Sequence, residues 1–265
     1  MFDALYISAT GMQAQQANVD NVANNLANVD TPGFKKARVS FTDLVMREGV
    51  AQAAMGAEGM PVGPLASQPG LGSGVAIASV RRLFDAGDLK QTGSMYDVAI
   101  QGDGFLEIAM PDGTRAFSRG GTLKVDGDGL LTTLAGYPLK PRIAVPANAT
   151  AMTLLSDGRV RFTVPGRDGP VEGGQLELVR FANPGALVAL GGDLYRASES
   201  SGEPAAGRAG QDGVGSLAQG FLEGSNVKMV DEMVGLMVAQ RAYEANVKVI
   251  QASDEMLGMV NNLRK

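Results

Sequence analysis

The side chains that come nearest to a reactive arrangement are carboxylates. Asp97, Asp103 and Glu107 lie close together in the chain, and two acids are enough for glycoside hydrolysis, so a cell-wall-directed enzyme is one reading. No convergent aromatic platform accompanies them, and the same acids are expected at solvated strand ends. The pair Asp126-x-Asp128 invites a calcium loop. The sixth position from Asp126 is however Leu131, where such a loop needs Gly, and the twelfth is Tyr137, where it needs a bidentate Glu. The run Gly70-Leu71-Gly72-Ser73-Gly74 lacks the Lys-Ser/Thr of a phosphate loop and the spacing of a dinucleotide fingerprint. The chain contains no His and no Cys, which removes the commonest general base, thiolate nucleophiles, zinc–sulfur sites and disulfides. The residues point away from catalysis, and no cofactor or metal is expected.

The 265 residues suffice for one large domain or two ordinary ones. With 36 Gly and 12 Pro against 5% aromatic residues and no Trp, many turns and short strands are expected rather than aromatic-lined pockets. The net charge is −5, and the 23 basic residues are scattered, so no nucleic-acid footprint is present. No run of 18 apolar residues exists, and no Lys or Arg precedes Lys35. The chain therefore offers neither a membrane span nor a secretory n-region, and export would need an uncleaved signal.

The elements with the strongest periodicity stand at the two ends. Leu5, Met12, Val19 and Leu26 recur every seven residues, with Phe2, Ala9 and Ala23 three residues before them and Gln16 interrupting that second row. The remaining surface of this predicted helix, about 40 Å long by its rise per residue, carries Gln13, Gln15, Asn18, Asn21, Asn24, Asn25 and Asn28. Such an amide face is desolvated more cheaply than a charged one and still forms hydrogen bonds, which suits a helix with protein on several sides. Asp30-Thr31-Pro32-Gly33 ends it. The C-terminal helix is expected to start at a cap on Ser225 or Asn226, with Asp231 and Glu232 near its positive end. Met229, Leu236, Tyr243, Ile250 and Leu257 make its heptad row, flanked by Met233, Val247 and Val260. A long core helix fits that row as well, and the matching stripe at the N-terminus favours a coiled coil.

Between the helices the period changes to two, as in Tyr96, Val98 and Ile100 or Val160, Phe162 and Val164. Turn signals at Asp112-Gly113, Asp126 to Gly129, Asp157-Gly158 and Asp168-Gly169 predict hairpins. The expected class is mixed: long terminal α-helices forming a coiled-coil domain, and an all-β middle domain. The expected division is 1–45 for the first helix and turn, 46–74 for an extended insertion rich in Gly, Ala, Met and Pro, 75–220 for the β domain and 221–265 for the last helix.

The stretch ANNLANVDTPGFKK at 23–36 resembles the N-terminal signature of the flagellar axial proteins, the rod and hook family of bacteria. Gly220-Phe221-Leu222-Glu223-Gly224-Ser225-Asn226-Val227 and Gln240-Arg241-Ala242-Tyr243-Glu244 are similar to that family's C-terminal segment. GSGV at 72–75, DVAIQGDGFLEI at 97–108 and FSRGGTLKVDGDGLLTTLAGYPLKP at 117–141 are similar to its β-domain motifs. Length and insertion place the chain nearer the distal-rod branch than the proximal-rod branch, and further from hook protein. The resemblance implies a structural subunit of a helical tube that transmits torque from motor to hook. Its implied partners are further copies of itself, adjacent rod and hook proteins, surrounding ring proteins and the flagellar type III export apparatus, with no nucleic acid and no membrane insertion. The implied place is the basal-body rod spanning the periplasm, reached without a cleaved signal peptide. The assembly contacts expected are Leu5, Met12, Val19, Leu26, Asn24, Asn25 and Asn28 on the first helix and Met229, Leu236, Tyr243, Ile250 and Leu257 on the last. A proximal-rod paralogue and a periplasmic carbohydrate-binding β module are the alternatives to the distal-rod subunit, beside the enzyme considered above.

Overall fold

The computed structural model describes residues 2–45, 72–167, 169–211 and 213–262. The chain divides into two compact units. One comprises Met1–Leu26, Ala37–Arg81 and Met229–Lys265, and the other Ala27–Lys36 and Arg82–Lys228.

The first unit is built from helix α1 (Phe2–Ala27), strands β1 (Ala37–Val45) and β2 (Gly72–Arg82), which pair as a two-stranded sheet, and helix α2 (Met229–Asn262). The amide face of α1 is used as its composition suggests. Asn25, 1% exposed, donates from Nδ2 to the Ala37 carbonyl at 2.9 Å and accepts from the Ala37 N–H at 2.9 Å, while Asn21 donates to the same carbonyl at 2.8 Å. These bonds anchor the start of β1. Further back, the Thr10 hydroxyl accepts from the Val75 N–H at 3.3 Å. Gly74 permits this approach, since a Cβ there would overlap the Thr10 hydroxyl. Of the segment expected as an insertion, residues 46–71 lie outside the described residues, and 72–74 open β2 instead.

The cap expected for α2 is a correction. The helix begins at Met229, and Asn226 is engaged elsewhere: its Oδ1 accepts from the Lys36 N–H at 2.7 Å and its Nδ2 donates to the Leu83 carbonyl at 2.8 Å. A side chain spent on two other segments cannot cap. Ser225 accepts instead from the Val227 N–H.

Among the described residues the second unit holds sixteen short strands in chain order: β3 (Leu89–Gln91), β4 (Asp97–Gln101), β5 (Phe105–Ala109), β6 (Arg115–Ser118), β7 (Gly120–Val125), β8 (Leu131–Thr133), β9 (Leu139–Lys140), β10 (Ala151–Leu154), β11 (Arg159–Thr163), β12 (Val171–Gln175), β13 (Glu177–Arg180), β14 (Val188–Gly191), β15 (Leu194–Arg196), β16 (Ala205–Arg208), β17 (Ser216–Gln219) and β18 (Phe221–Glu223). The largest sheet runs β14-β15-β6-β5-β13-β16 with β9 beside β5; β17-β4-β7-β8 and β10-β11-β12 form two more, and β18 pairs β3. Three of the turn signals join hairpins where expected: Asp112-Gly113 between β5 and β6, Asp126 to Gly129 between β7 and β8, and Asp157-Gly158 between β10 and β11. The fourth rests on Asp168, outside the described residues.

Alternating inward residues of these strands make one large core, including Val98, Ile100, Ile108, Leu131, Val160, Phe162 and Leu178. A second cluster is aromatic. Phe105, Phe117, Phe181 and Tyr195, with Phe84 against them, meet edge to face at centroid separations such as 4.8 Å for Phe117–Phe181 and 5.0 Å for Phe84–Tyr195. Five of the fourteen aromatic residues thus meet in one packed cluster. Burial pushes the Tyr195 hydroxyl up to about 12.

Candidate functional site

The signature residues 30–36 do not continue the helix; they turn into the β unit and are held there. Asn28 to Gly33 form tight turns, with the Thr31 N–H on the Asn28 carbonyl at 3.2 Å and Gly33 in the left-handed region at φ 74°. The Gly33 N–H then donates to the Glu223 carbonyl at 2.7 Å, and the Leu83 N–H to the Lys36 carbonyl at 2.9 Å. Phe34 lies under the Arg82 guanidinium, 5.3 Å from the ring centroid.

Lys35 is fully buried, and its Nζ donates to Glu223 Oε1 at 2.7 Å and to the Asp85 carbonyl at 2.7 Å. Glu223 also accepts from the Gly87 N–H at 2.9 Å and from Arg119 Nε at 3.2 Å, while Arg119 Nη1 donates to the Gly104 carbonyl at 2.8 Å. One buried carboxylate therefore serves two buried cations. Burial lowers the Lys35 ammonium below its ordinary value, outweighing the bond to Glu223 that raises it. Burial alone would raise Glu223, but the charges of Arg119 and Lys35 hold its carboxyl below the usual range. The cluster ties together residues 35, 119 and 223, which explains why Ala27–Lys36 packs with the β unit rather than with α1.

The two long helices meet through small and polar residues. Asn25 Nδ2 lies 3.1 Å from Glu232 Oε2, and a Cβ on Gly11 would stand 2.9 Å from Asn246 Nδ2. Fourteen residues separate Gly11 from Asn25 and fourteen separate Glu232 from Asn246, so the helices run antiparallel. Ala239 and Ser253 are almost completely buried. The contacts on α1 thus fall one residue before the large apolar row read from the sequence, and those on α2 three residues after theirs. Leu5, Met12, Val19 and Leu26 are half-buried beside these contacts, as are Leu236, Ile250 and Leu257 on α2, while Met229 and Tyr243 are exposed. Of the three asparagines, Asn25 is buried in the seam, Asn28 accepts from the Thr31 hydroxyl at 3.2 Å, and Asn24 is exposed.

The exposed side of α2 went unnoticed in the sequence. Met229, Val230, Met233, Val234, Met237 and Val238 are all exposed, Val230 at 73% and Val238 at 63%, and Val249, Met256 and Met259 extend the patch along the helix. The first three turns of α2 are apolar on nearly all sides, Asp231 and Glu232 being the charges there. The signal was available in the composition of residues 229–238, but a search for one seven-residue row passes over a second face.

The acids considered for catalysis do not converge. Asp97 is buried and accepts from the hydroxyls of Thr92 at 2.6 Å and Thr122 at 2.8 Å; Glu107 pairs with Lys140 at 2.9 Å; Asp103 is exposed. Asp126 closes its own turn, accepting from the N–H groups of Asp128 and Leu130. Among the described residues there is no group of three or more acidic, His or Cys side chains suited to a metal, and no helix is long and apolar enough to cross a membrane.

Residues 5–35 match the family described as flagella basal body rod protein, 99–162 the D1 domain of flagellar hook protein FlgE/F/G, and 218–263 the C-terminal region of flagellar basal body rod FlgEFG protein. Over the whole of both chains, the sequence is 44% identical to flagellar basal-body rod protein FlgG of Borreliella burgdorferi and 38% identical to that of Bacillus subtilis. The chain belongs to the flagellar rod protein FlgG family. It is a structural rod protein and not an enzyme. FlgF of Caulobacter vibrioides is more distant, at 30% identity over 97% of this chain and 95% of its own, whereas FlgG of the same organism is 38% identical over 98% and 99%. The FlgG branch, the distal-rod branch of the sequence reading, is therefore the one upheld over the proximal-rod alternative. The two terminal matches of this FlgG-family chain both reach the buried cluster, the first ending at Lys35 and the second containing Glu223 near its start. In the sequence both lie inside the motif stretches, and nothing there pairs them.

Proposed function

We propose that copies of this chain join head to tail into a helical tube, the distal rod of the bacterial flagellum, and that the tube passes torque from motor to hook without turning over a substrate. The observation that carries the reading is the exposed apolar surface of α2. A helix that is apolar on nearly all sides is a buried helix in its working state. Within one chain, α1 covers a single face of α2. Covering the six exposed Met and Val side chains of residues 229–238 is worth on the order of 5 kcal/mol, taking about 1 kcal/mol for each half-exposed side chain, so neighbouring copies gain by packing there. Identical contacts that do not close on a ring give a filament.

In this reading α1 and α2 form a coiled-coil domain that lines the tube. Leu5, Met12, Val19, Leu26, Asn24, Asn25 and Asn28, with Met229, Leu236, Tyr243, Ile250 and Leu257, lie in or beside its seams. Residues 27–36 and 82–228 form the outer domain, and residues 46–71 of the insertion brace neighbouring copies. Further partners are adjacent rod and hook proteins and the surrounding ring proteins. The chain reaches the periplasm-spanning rod through the flagellar type III apparatus, its N-terminal region serving as an uncleaved signal. The absence of Cys and the marginal stability of an Asn-rich helix outside its seam suit passage as an unfolded chain.

Sedimentation of the full chain against the double variant Met237→Glu with Val238→Glu tests the reading. The parent is expected to pellet as polymer above a threshold concentration, and the variant to stay soluble with unchanged circular dichroism. A variant that pellets like the parent contradicts it.

A further inference from the structure

The β unit contains a cleft of about 450 Å³ whose walls include Gly33 of the signature turn, Gly121, Leu222, and the two hairpin tips at Leu134 and Asp193. Leu134, between β8 and β9, is 68% exposed, the most of any large apolar side chain in this unit. Asp193, between β14 and β15, is half-buried and is the one non-glycine residue with positive φ, 58°, among the described residues. With Gly192 at φ 60° it forms the two-residue turn of this hairpin, which requires that geometry and fixes the direction of the Asp193 side chain. The Asp193 carboxylate reaches the turn because Gly33 has no side chain; a Cβ there would stand 2.9 Å from Oδ2. Among the described residues it makes no hydrogen bond or close ion pair. Burial raises its carboxyl above the ordinary value, and the charges of Arg82 and Lys35 offset this only in part.

A carboxylate held at a cleft wall without a hydrogen bond, beside an apolar lip, fits a basic side chain carried on a protein surface. We infer that the cleft is a socket for a second copy of this chain, with Asp193 receiving an arginine or lysine and Leu134 packing against the apolar surface around it. This inference rests on the polymer reading above. The charge complement is present on the same unit: Arg142, Arg180 and Arg208 are exposed and form no ion pair among the described residues. Complementary charge at such a contact sets register between copies more than raw affinity. Apolar packing around it excludes water and strengthens the pair.

The absence of Cys makes Leu134→Cys a unique thiol reporter. Its rate of maleimide labelling is measured in the full-length chain as monomer and as polymer. The rate is expected to fall at least about tenfold on assembly, and Asp193→Asn, which keeps shape and tolerates the same backbone, is expected to raise the threshold concentration for assembly by about tenfold and to flatten its dependence on salt. Polymers in which the thiol of Leu134→Cys labels as fast as in the monomer overturn the socket. So does an Asp193→Asn chain that assembles like the parent at every salt concentration. A parent chain that never polymerises overturns the tube reading itself, an outcome distinct from a polymer with an open socket.

Discussion

Replacing Glu223 by Gln tests the buried cluster of the β unit most sharply. The substitution keeps the volume and removes the one negative charge that stands 2.7 Å from Lys35 Nζ and 3.2 Å from Arg119 Nε, all three side chains being at most 3% exposed. Removing one partner of a buried ion pair leaves the other charge uncompensated, and such changes cost about 3–5 kcal/mol. Lys35→Met should cost less than about 2 kcal/mol, because it removes a buried charge and leaves Glu223 with Arg119 and the Gly87 N–H. The sign of the pH dependence separates the two groups. The Glu223 carboxyl titrates in the folded chain below its unfolded value of 4.5, so its stabilisation is present above that pH and is lost as pH falls through the lower folded value; Glu223→Gln should lack this loss. Lys35 has a folded value below its unfolded 10.5, so the cost of its charge is relieved as pH rises through that window, and more strongly in Glu223→Gln. Urea unfolding of the full chain from pH 3 to 10, followed by the near-ultraviolet dichroism of the aromatic cluster, reads both effects. A Glu223→Gln chain within about 1 kcal/mol of the parent at pH 7 would refute the claim that this cluster locks the signature turn to the β unit.

Other expectations follow from the terminal helices and the insertion. Leu26→Asp or Leu236→Asp places a charge in a seam that assembly desolvates and should abolish polymer while leaving the near-ultraviolet signal of the β unit unchanged; normal filaments from either would remove the seam from the account. Limited proteolysis of the monomer should trim both ends and leave a core of residues 27–36 and 82–228, since the helices gain most of their cover from neighbours; resistance of residues 1–26 in a verified monomer would contradict this. Deleting 46–74 should allow polymerisation but give filaments that bend more in electron micrographs, and equal stiffness would make that segment a plain linker.

The classes of element were legible because they follow from period: seven-residue spacing at the ends, two-residue alternation between, and Asp-Gly turns joining the strands. What the sequence hid were consequences of contacts between distant residues. The helix seam runs through Gly11, Asn25, Glu232 and Asn246, where close approach requires small or hydrogen-bonding side chains, whereas the period drew attention to the larger residues beside them. Lys35 and Glu223, 188 residues apart in the chain, meet with Arg119 in one buried cluster only through the fold. Asn226 looked like a helix cap because it precedes α2, yet its amide bridges Lys36 and Leu83.

The central claim is that the apolar surface of α2 is covered by other copies of the chain. A cryo-electron microscopic reconstruction of the purified chain, assembled at high concentration, measures it directly. The account predicts a helical tube in which Val230, Met237 and Val238 of each copy pack against a neighbour's terminal helices, and a tube in which those side chains face solvent would contradict it.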